Sequence, residues 1–286
     1  MKLAGVVVWY NPSKKDIKNI DSYIKAVDKL YIVDNSENGS NESKIPNSKK
    51  VEYIYQNENL GIAKALNIAC YKAIKEKYKF ILTMDQDSCF KSNDVDKMKT
   101  KISSLDLSKI GIISPWHKTK LKLEKPKDEI DYPLDVMTSG NILNLDIFQK
   151  IGGFKEFLFI DGVDIEYCLN LKKNGYKVMR INSIELQHDL GDIFYRNFLG
   201  KEFMCDNHNY LRIYYMTRNY RYIRKEYRNI APEFCDILVK IKGLIFKIVF
   251  YEKDKFRKLR SIVFGIYDYK HNNYGKYQGR WENGWY

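Results

Sequence analysis

The stretch TMDQDS, residues 83 to 88, places two carboxylates, Asp85 and Asp87, directly behind the hydrophobic run FILTM. Aspartate is a common turn residue, so one interpretation is a solvated loop after a buried strand. The other is a metal site, because carboxylates separated by one residue can bind one Mg²⁺ or Mn²⁺ ion that also binds diphosphate oxygens. The motif alone does not decide between them, and the decision depends on the other polar groups of the chain.

A second acidic cluster lies in FLFIDGVDIEYCLN, residues 157 to 170, where Asp161, Asp164 and Glu166 stand at the predicted start of a helix. Carboxylates at a helix N-terminus can have a purely structural role, because they interact favourably with the helix dipole. For Asp161 this structural interpretation stays open. A carboxylate here can also act as a general base. Asp164 is the preferred candidate for that role.

A histidine follows the two acidic clusters along the chain. IELQHDLGD, residues 184 to 192, supplies His188 after a strand-like run. A lone histidine is usually structural, but imidazole is also the commonest protein metal ligand. Because of its position after both clusters, we predict that His188 binds the same ion as Asp85 and Asp87.

The elements that must position these groups follow an α/β pattern. Residues 61 to 77 carry apolar side chains at helical spacing, which predicts a helix between two strands. The pattern is typical of a mostly parallel sheet, in which ligands bind at the carboxyl ends of the strands. Polar residues follow three of these ends: Asn11, Asp34 to Ser36, and Asp85 to Asp87. The predicted strands are Leu3 to Trp9, Leu30 to Asp34, Val51 to Gln56 and Phe80 to Asp85.

Composition narrows the class of protein. The chain has 286 residues, of which 44% are hydrophobic, so it can bury a large core. Five cysteines without a CxxC pair argue against a disulfide framework and against a zinc knuckle, and for a reducing compartment. The apolar stretch near the N-terminus is too short for a signal peptide, so we expect a cytoplasmic protein.

The basic residues are concentrated in the C-terminal third. The net charge is +13, and residues 196 to 286 hold 19 Lys and Arg against 9 Asp and Glu. Residues 235 to 267 alternate apolar residues with cations, so no apolar run approaches the ~20 residues that cross a bilayer. Such a segment can lie on the surface of an anionic membrane, which would make the protein peripheral on the inner face of the cell membrane. The alternative is a helical hairpin packed on the rest of the chain or on a second subunit in a homo-oligomer.

Together these motifs resemble the inverting glycosyltransferases of family two, which have the GT-A fold, and within them the bacterial rhamnosyltransferases. VVVWYNP resembles the first strand of the family and its nucleotide-contacting turn. VDNS resembles the loop that contacts the nucleotide base, and NENLGIAKALN resembles the segment beside the ribose and diphosphate. TMDQDS is similar to the metal motif, and the stretch from TSGN to IEYCLN is similar to the acceptor side, the catalytic acids and their helix. The motifs occur in the family's order.

The resemblance implies a GT-A catalytic domain, residues 1–205, with a Rossmann-like mixed sheet, and a helical C-terminal region, residues 206–286. It implies a metal site for Mn²⁺ or Mg²⁺ at Asp85, Asp87 and His188. The catalytic acids that it implies are Asp164, Asp161 and Glu166. Asp164 is the expected general base, and Asp161 is the alternative base because Val163 stands where many members carry Glu. Its acceptor residues are Ser139, Gly140 and Asn141. The donor-binding residues that it implies are Tyr10, Asn11, Pro12, Asp34, Asn35, Asn59, Gly61, Lys64, Asn67, Asp85, Gln86 and Arg218. Of these, Arg218 is expected to contact a phosphate of the donor.

The implied reaction is a single displacement with inversion, in which an acceptor hydroxyl attacks the sugar and a metal ion carries the charge of the leaving nucleotide. HDLGD, YYMTRN and GIYDYKHNNYGKY resemble rhamnosyltransferases, so the expected donor is dTDP-L-rhamnose and the acceptor a lipid-linked or polysaccharide glycan. A UDP-sugar transferase for galactofuranose, glucose or N-acetylhexosamine is the alternative. A nucleic-acid-binding protein is a second alternative, against which stands the lack of any RRM, KH or helix-turn-helix pattern.

Overall fold

The computed structural model describes residues 1–91, 93–120, 124–188, 194–198 and 200–279. The chain divides into two compact units. The first contains Met1–Phe154 and Asp164–Gly191, and the second contains Lys155–Val163 and Asp192–Tyr286. These bounds differ from the division after residue 205 expected above, because residues 155–163 and 192–205 group with the second unit.

The first unit is built on one mixed sheet. Its strands are β1 (Ala4–Trp9), β2 (Lys29–Asp34), β3 (Val51–Tyr55), β4 (Phe80–Asp85), β5 (Cys89–Phe90), β6 (Ile110–Lys118), β7 (Ile130–Asp131), β8 (Asn141–Asn144) and β9 (Lys177–Gln187). Their order in the sheet is β3-β2-β1-β4-β8-β6-β9-β5, with β7 paired to β9. The four strands predicted from the sequence are β1 to β4, and all four are confirmed.

Strands β1 to β4 form the parallel half of the sheet. Every residue of β1 is buried, as expected for a strand that lies between two others and is covered on both faces. Val8 of β1 pairs with Asp85 of β4, and Trp9 of β1 pairs with Asp34 of β2. This register brings the acidic ends of β2 and β4 to the same edge of the sheet, one on each side of β1.

The other half of the sheet is mixed. β8 runs antiparallel to both β4 and β6, and β6 and β9 are parallel to each other. β5 and β7 run antiparallel to β9. Parallel pairing therefore holds for β1 to β4 and for β6 with β9, whereas the expectation of a mostly parallel sheet is not met, because β8, β5 and β7 pair antiparallel. Because β8 runs back along β4 with Asn141 opposite Thr83, it brings residues 139–141 beside the carboxyl end of β4.

Helices cover the faces of this sheet. The core includes buried side chains from β1, β2, β4, β8 and β9, such as Trp9, Ile32, Leu82, Ile142 and Met179. The helix predicted over residues 61 to 77 is α2, which begins after Gly61 in the left-handed region at φ +81°. The helices are α1 (Lys14–Asn19), α2 (Ile62–Lys75), α3 (Asp94–Ile102), α4 (Leu145–Ile151) and α5 (Val163–Lys173).

The second unit is mostly helical. It contains the hairpin β10 (Phe194–Phe198) and β11 (Lys201–Cys205), followed by α6 (Tyr210–Tyr227), α7 (Pro232–Leu238), α8 (Ile241–Tyr251) and α9 (Lys255–Lys270). Ile213 of α6, Ile248 of α8 and Ile262 of α9 pack into one small core. The predicted helical C-terminal region is therefore present, and part of its apolar surface is internal.

Within the described residues, none of the helices combines the length and the apolar character needed to cross a bilayer. The five cysteines, all in the described part of the chain, are free thiols.

Candidate active site

The ends of β4 and β9 bring together the three predicted metal ligands. Oxygen or nitrogen atoms of Asp85, Asp87 and His188 all lie within 4.8 Å of one another. Asp85 ends β4, Asp87 lies in the turn that follows, and His188 directly follows β9. The pairing of Cys89 with Gln187 between β5 and β9 holds the two segments side by side. The predicted grouping is confirmed in the structure.

His188 is oriented by the metal motif itself. Its Nδ1 lies 2.6 Å from the Ser88 hydroxyl and 3.6 Å from Oδ1 of Asp87. Ser88 is fully buried and also contacts the Asp87 carboxylate, at 3.3 Å. Sequence reasoning missed Ser88, although it is the last residue of TMDQDS. A hydroxyl next to a pair of carboxylates is the signal that could have identified it.

Asp85 is half-buried, and 45% of the Asp87 side chain is exposed. Burial raises the pKa of Asp85 to about 6; nearby His188 opposes this change, and the charge of Asp87 adds to it. Burial also raises the pKa of Asp87. Two carboxylates that resist ionisation side by side are stabilised by a cation between them, and two oxygens with one imidazole nitrogen suit Mn²⁺ or Mg²⁺. The residues present therefore fit the expected divalent ion.

The segment that precedes β8 forms hydrogen bonds with the end of β4 at Asp85. The Asp85 N–H donates to Oγ of Ser139 at 3.0 Å, and the Gly140 N–H donates to the Thr83 carbonyl at 2.7 Å. Gly140 has φ +78°, and a Cβ there would lie 2.8 Å from Leu186, so only glycine suits this position. Asn141 is also buried, and its amide donates to the Met137 carbonyl.

This placement disagrees with the acceptor contact expected for Ser139, Gly140 and Asn141. All three are buried and their polar groups support the metal motif. His117, which sequence reasoning missed, contacts the same segment: its Nε2 lies 2.7 Å from the Ser139 carbonyl oxygen. Burial lowers the pKa of His117 to about 4, so at neutral pH it is an uncharged donor to that carbonyl.

On the other side of β1, Asp34 organises the predicted base-binding loop. It is fully buried and accepts hydrogen bonds from the Ser36 N–H at 2.9 Å, the Asn41 amide at 2.8 Å and the Tyr53 hydroxyl at 2.5 Å. Burial alone would raise its pKa, but these hydrogen bonds outweigh burial and the pKa of Asp34 is lowered. Asp34 therefore stays ionised and fixes the loop. Asn41 and Tyr53 were missed because they come from later segments.

The turn after β1 is tied to the metal motif. The Tyr10 N–H donates to Oε1 of Gln86 at 2.8 Å, and the Gln86 amide donates back to the Tyr10 carbonyl. The exposed Asn11 has φ +49°, and its N–H donates to the Ser36 hydroxyl at 2.8 Å. Pro12, which follows, is buried. The predicted donor residues of β1 and β4 thus lie together at this edge.

The predicted ribose and diphosphate segment begins α2. The Gly61 N–H donates to the Asn59 side chain at 2.9 Å, and the Gly61 carbonyl accepts from the amide of the buried Asn35 at 3.2 Å. Lys64 is exposed on α2. Asn67 is different, because it is 4% exposed and its amide exchanges hydrogen bonds with the Phe154 backbone. This placement disagrees with the donor contact expected for Asn67.

The three candidate acids are placed differently. Asp164, in the first turn of α5, is half-buried, and its Oδ1 accepts from the Ile165 N–H at 2.9 Å. Glu166 is fully buried, which does not suit a residue that must reach an acceptor hydroxyl. Asp161 belongs to the second unit, has φ +60°, and forms an ion pair with Arg212 that leaves 5% of its side chain exposed. The role of Asp164 as the general base stays a prediction.

Arg218 is an internal support of the second unit. Its side chain is 0% exposed and donates to the carbonyls of Gly275 at 2.9 Å and Leu158 at 3.1 Å. Its guanidinium also lies over the rings of Tyr214 and Tyr215. This placement disagrees with the phosphate contact expected for Arg218, because its donors are already used within the unit.

The fold and the acidic edge define a class of enzyme. The chain belongs to glycosyl transferase family 2, whose family model matches residues 7–157. It is therefore a glycosyltransferase of the inverting type, as the sequence motifs implied.

Individual relatives add detail. The dTDP-rhamnosyl transferase RfbF of Shigella flexneri is 28% identical over 262 residues, which cover 86% of this chain and 85% of that protein. The solved structure of S. aureus TarS 1-349 in complex with UDP-GlcNAc is similar with a TM-score of 0.58 at 14% identity, over 94% of this chain and 80% of that chain.

The structure of GalNAc-T7 with UDP, GalNAc and Mn²⁺ is similar with a TM-score of 0.53 at 14% identity, over 70% of this chain. The match spans 44% of that chain's length. At these identities the two solved structures bear on the fold alone, and they confirm the predicted GT-A fold.

Proposed function

We propose that this enzyme transfers L-rhamnose from dTDP-L-rhamnose to a glycan acceptor by a metal-assisted single displacement. The observation that carries the proposal is the Asp85, Asp87 and His188 group at the carboxyl edge of a family 2 fold. The donor is supported by the relative named dTDP-rhamnosyl transferase, which this chain matches over most of its length. A lipid-linked or polysaccharide acceptor stays a prediction.

Asp85, Asp87 and His188 would hold Mn²⁺ or Mg²⁺. Such an ion, when bound, neutralises charge on the leaving diphosphate. The protein's own part is to present two carboxylates and one imidazole nitrogen in a fixed arrangement, with Ser88 and Ser139 holding the ligands in place. Neither serine has to contact the donor for this purpose.

The donor nucleotide would lie across the carboxyl edge of β1. One side of that strand carries the loop fixed by Asp34, and the other carries the metal motif. In open α/β sheets ligands bind at this edge. Tyr10 and Asn11 are exposed between the two sides, and Asn59 and Gly61 precede the neighbouring helix α2.

Asp164 would accept the proton of the attacking hydroxyl. Its position in the first turn of α5 and its partial exposure suit contact with an acceptor, and it lies in the same unit as the metal ligands. Since the acceptor attacks as the nucleotide leaves, no protein nucleophile is needed. Asp161 remains the rival base, but its ion pair with Arg212 would have to open first.

The donor is tested by acceptor-independent hydrolysis. Purified enzyme is given a panel of dTDP- and UDP-sugars, with Mn²⁺, with Mg²⁺ and with EDTA. We expect dTDP-L-rhamnose to be hydrolysed fastest and only with metal. Faster hydrolysis of a UDP-hexose would replace the donor assignment by the UDP-sugar alternative. An apolar pocket distinguishes a methyl from a hydroxymethyl group by only about 10- to 200-fold, so the ratio of rates is the measure.

The metal ligands are tested by calorimetry of donor binding with Mn²⁺. Asp87→Ala should abolish metal-dependent binding, and His188→Ala should weaken it, because each removes a ligand to the ion. Lys75→Ala, a change at an exposed position at the C-terminal end of α2, is the control because Lys75 is not among the expected donor-binding residues. If both ligand variants bind the donor as wild type does, these residues do not hold the ion.

The base is tested by a pair of isosteric changes. Asp164→Asn removes the proton acceptor and keeps the shape, so turnover should fall by about 100-fold or more while donor affinity changes little. Asp161→Asn is the matched variant. A large loss of turnover in Asp161→Asn together with near-normal turnover in Asp164→Asn would assign the base to Asp161.

A further inference from the structure

The turn between α8 and α9 presents large apolar side chains to solvent. Phe256 is 88% exposed and Phe250 is 61% exposed, one on each side of this turn. We call residues 250–257 the hairpin tip. The outer face of α9 continues the same character, because Val263 and Tyr267 are exposed at positions seven and eleven residues after Phe256. Single exposed apolar residues are common, but a run of them on one element indicates a contact surface.

The hairpin tip is held rigid from inside. Lys258 and Glu252 form an ion pair of 2.8 Å with 2% and 0% of their side chains exposed. The Lys258 ammonium also donates to the side chain of Asn207 at 2.8 Å, and Asp254 adopts φ +53° in the turn. This buried pair connects Glu252, at the end of α8, with Lys258 in the first turn of α9, across the turn. The two phenylalanine rings are therefore displayed by a defined structure.

Cations surround these rings. Residues 240 to 260 contain eight Lys and Arg against two acidic residues, and one of the two, Glu252, is already neutralised by Lys258. Lys253, Lys255 and Arg257 are exposed within the hairpin tip. Exposed apolar rings with exposed cations next to them in the sequence match the region of lipid headgroups and upper acyl chains in an anionic bilayer.

A second copy of the chain fits this surface less well. Two copies that met through the hairpin tip would place the same cations against one another. Anionic headgroups would instead neutralise those cations while the rings entered the apolar layer below them. The inner parts of α8 and α9 do not compete for this role, because Ile248 and Ile262 are buried within the unit.

We propose that the hairpin tip docks the enzyme on an anionic membrane surface, with Phe250 and Phe256 inserted among the lipids and Lys253, Lys255 and Arg257 at the phosphates. The sequence pattern distributed membrane contact over residues 235–267. The structure concentrates it at one end of the α8 and α9 pair and along the outer face of α9. This proposal does not depend on the identity of the sugar donor.

The test is co-sedimentation of the full-length protein with vesicles. One set is phosphatidylcholine alone, and the other is phosphatidylcholine mixed with phosphatidylglycerol. The double variant Phe250→Ser with Phe256→Ser removes the rings, and Lys253→Glu with Lys255→Glu reverses charge at exposed positions. Tyr132→Ser is the matched control, because Tyr132 is an exposed aromatic residue of the first unit. Thermal unfolding verifies that each variant is folded.

We expect wild type and Tyr132→Ser to sediment with the anionic vesicles and much less with phosphatidylcholine alone. The variant Lys253→Glu with Lys255→Glu should reduce partitioning by about 25-fold or more at low salt, because each lost cation alone accounts for about five-fold. Loss of both rings should reduce partitioning at least ten-fold. Added salt should weaken binding of the wild type. Donor hydrolysis without lipid should be the same in all tip variants, so failure of docking is distinguishable from failure of the proposed reaction.

Equal sedimentation of wild type and the double phenylalanine variant would overturn the proposal. So would a lack of preference for phosphatidylglycerol. Light scattering in the absence of lipid tests the alternative that the hairpin tip contacts a second copy of the chain. That alternative is correct if the wild type is a dimer, the double phenylalanine variant is a monomer, and neither protein binds vesicles.

Discussion

Replacement of His117 by glutamine should change how stability depends on pH. His117 is 8% exposed, and its ring nitrogen Nε2 donates to the Ser139 carbonyl. Burial lowers its pKa to about 4 from an ordinary 6.5. The unfolded chain therefore binds a proton at this site below about pH 6.5 while the folded chain does not, so stability falls as the pH decreases toward 4. Glutamine can donate the same hydrogen bond and does not titrate.

The magnitude follows from the two pKa values. A pKa unit corresponds to about 1.4 kcal/mol, so the full change in the free energy of unfolding is about 3 kcal/mol over this pH range. Urea unfolding of metal-free wild type and His117→Gln at about pH 7.5 and about pH 4.5 measures it. Wild type should lose about 2 to 3 kcal/mol more than the variant between these two values. Other titrating groups, Asp85 among them, are common to both proteins and cancel in the comparison.

Parallel pH dependence in the two proteins would refute this reasoning. It would mean that His117 is protonated in the folded state near pH 6, or that solvent reaches it. A variant that is less stable than wild type by the same amount at both pH values would show a packing defect without a change in protonation.

Three further changes test the packing described above, each by urea unfolding. Gly265→Ala should lower the free energy of unfolding by about 1 to 3 kcal/mol, because its Cβ would lie 2.8 Å from a backbone oxygen of α6; an unchanged value would mean that α6 and α9 are more loosely packed. Lys258→Met should cost about 3 to 5 kcal/mol by leaving Glu252 charged and buried, and adding Glu252→Gln should recover much of that loss. Tyr53→Phe should cost about 1.5 to 3 kcal/mol and raise the pKa of Asp34, since it removes a hydrogen bond to the carboxylate; titration of Asp34 by NMR at an unshifted pKa would contradict this.

The metal group could be predicted from the sequence because its parts are marked locally. Asp85 and Asp87 follow a hydrophobic run, and His188 follows another, so each segment shows that it ends at the edge of a sheet. The strands β1 to β4 and the helix α2 were predictable for the same reason, since alternating hydrophobic runs and a helical repeat are properties of short windows.

The errors concern partners that are distant in sequence. A hydrophobic run such as that of β8 does not reveal its neighbours or their direction, so the antiparallel pairing with β4 and the burial of residues 139–141 were not foreseen. Arg218 and Asn67 carry polar groups that suggest ligand binding. In the structure these groups bind backbone carbonyls of their own unit, and nothing in the adjacent residues indicates this.

The pairing of β5 with β9 has a consequence for the order of assembly. The loop fixed by Asp34 draws its hydrogen-bond partners from residues 36 to 53, so it can form as soon as that short stretch has emerged from the ribosome. The metal group needs contacts across a separation of 100 residues between Ser88 and His188. Closing so long a loop costs chain entropy that only later contacts offset. We therefore expect the group of Asp85, Asp87 and His188 to form late in folding, once the first unit is completed through β9.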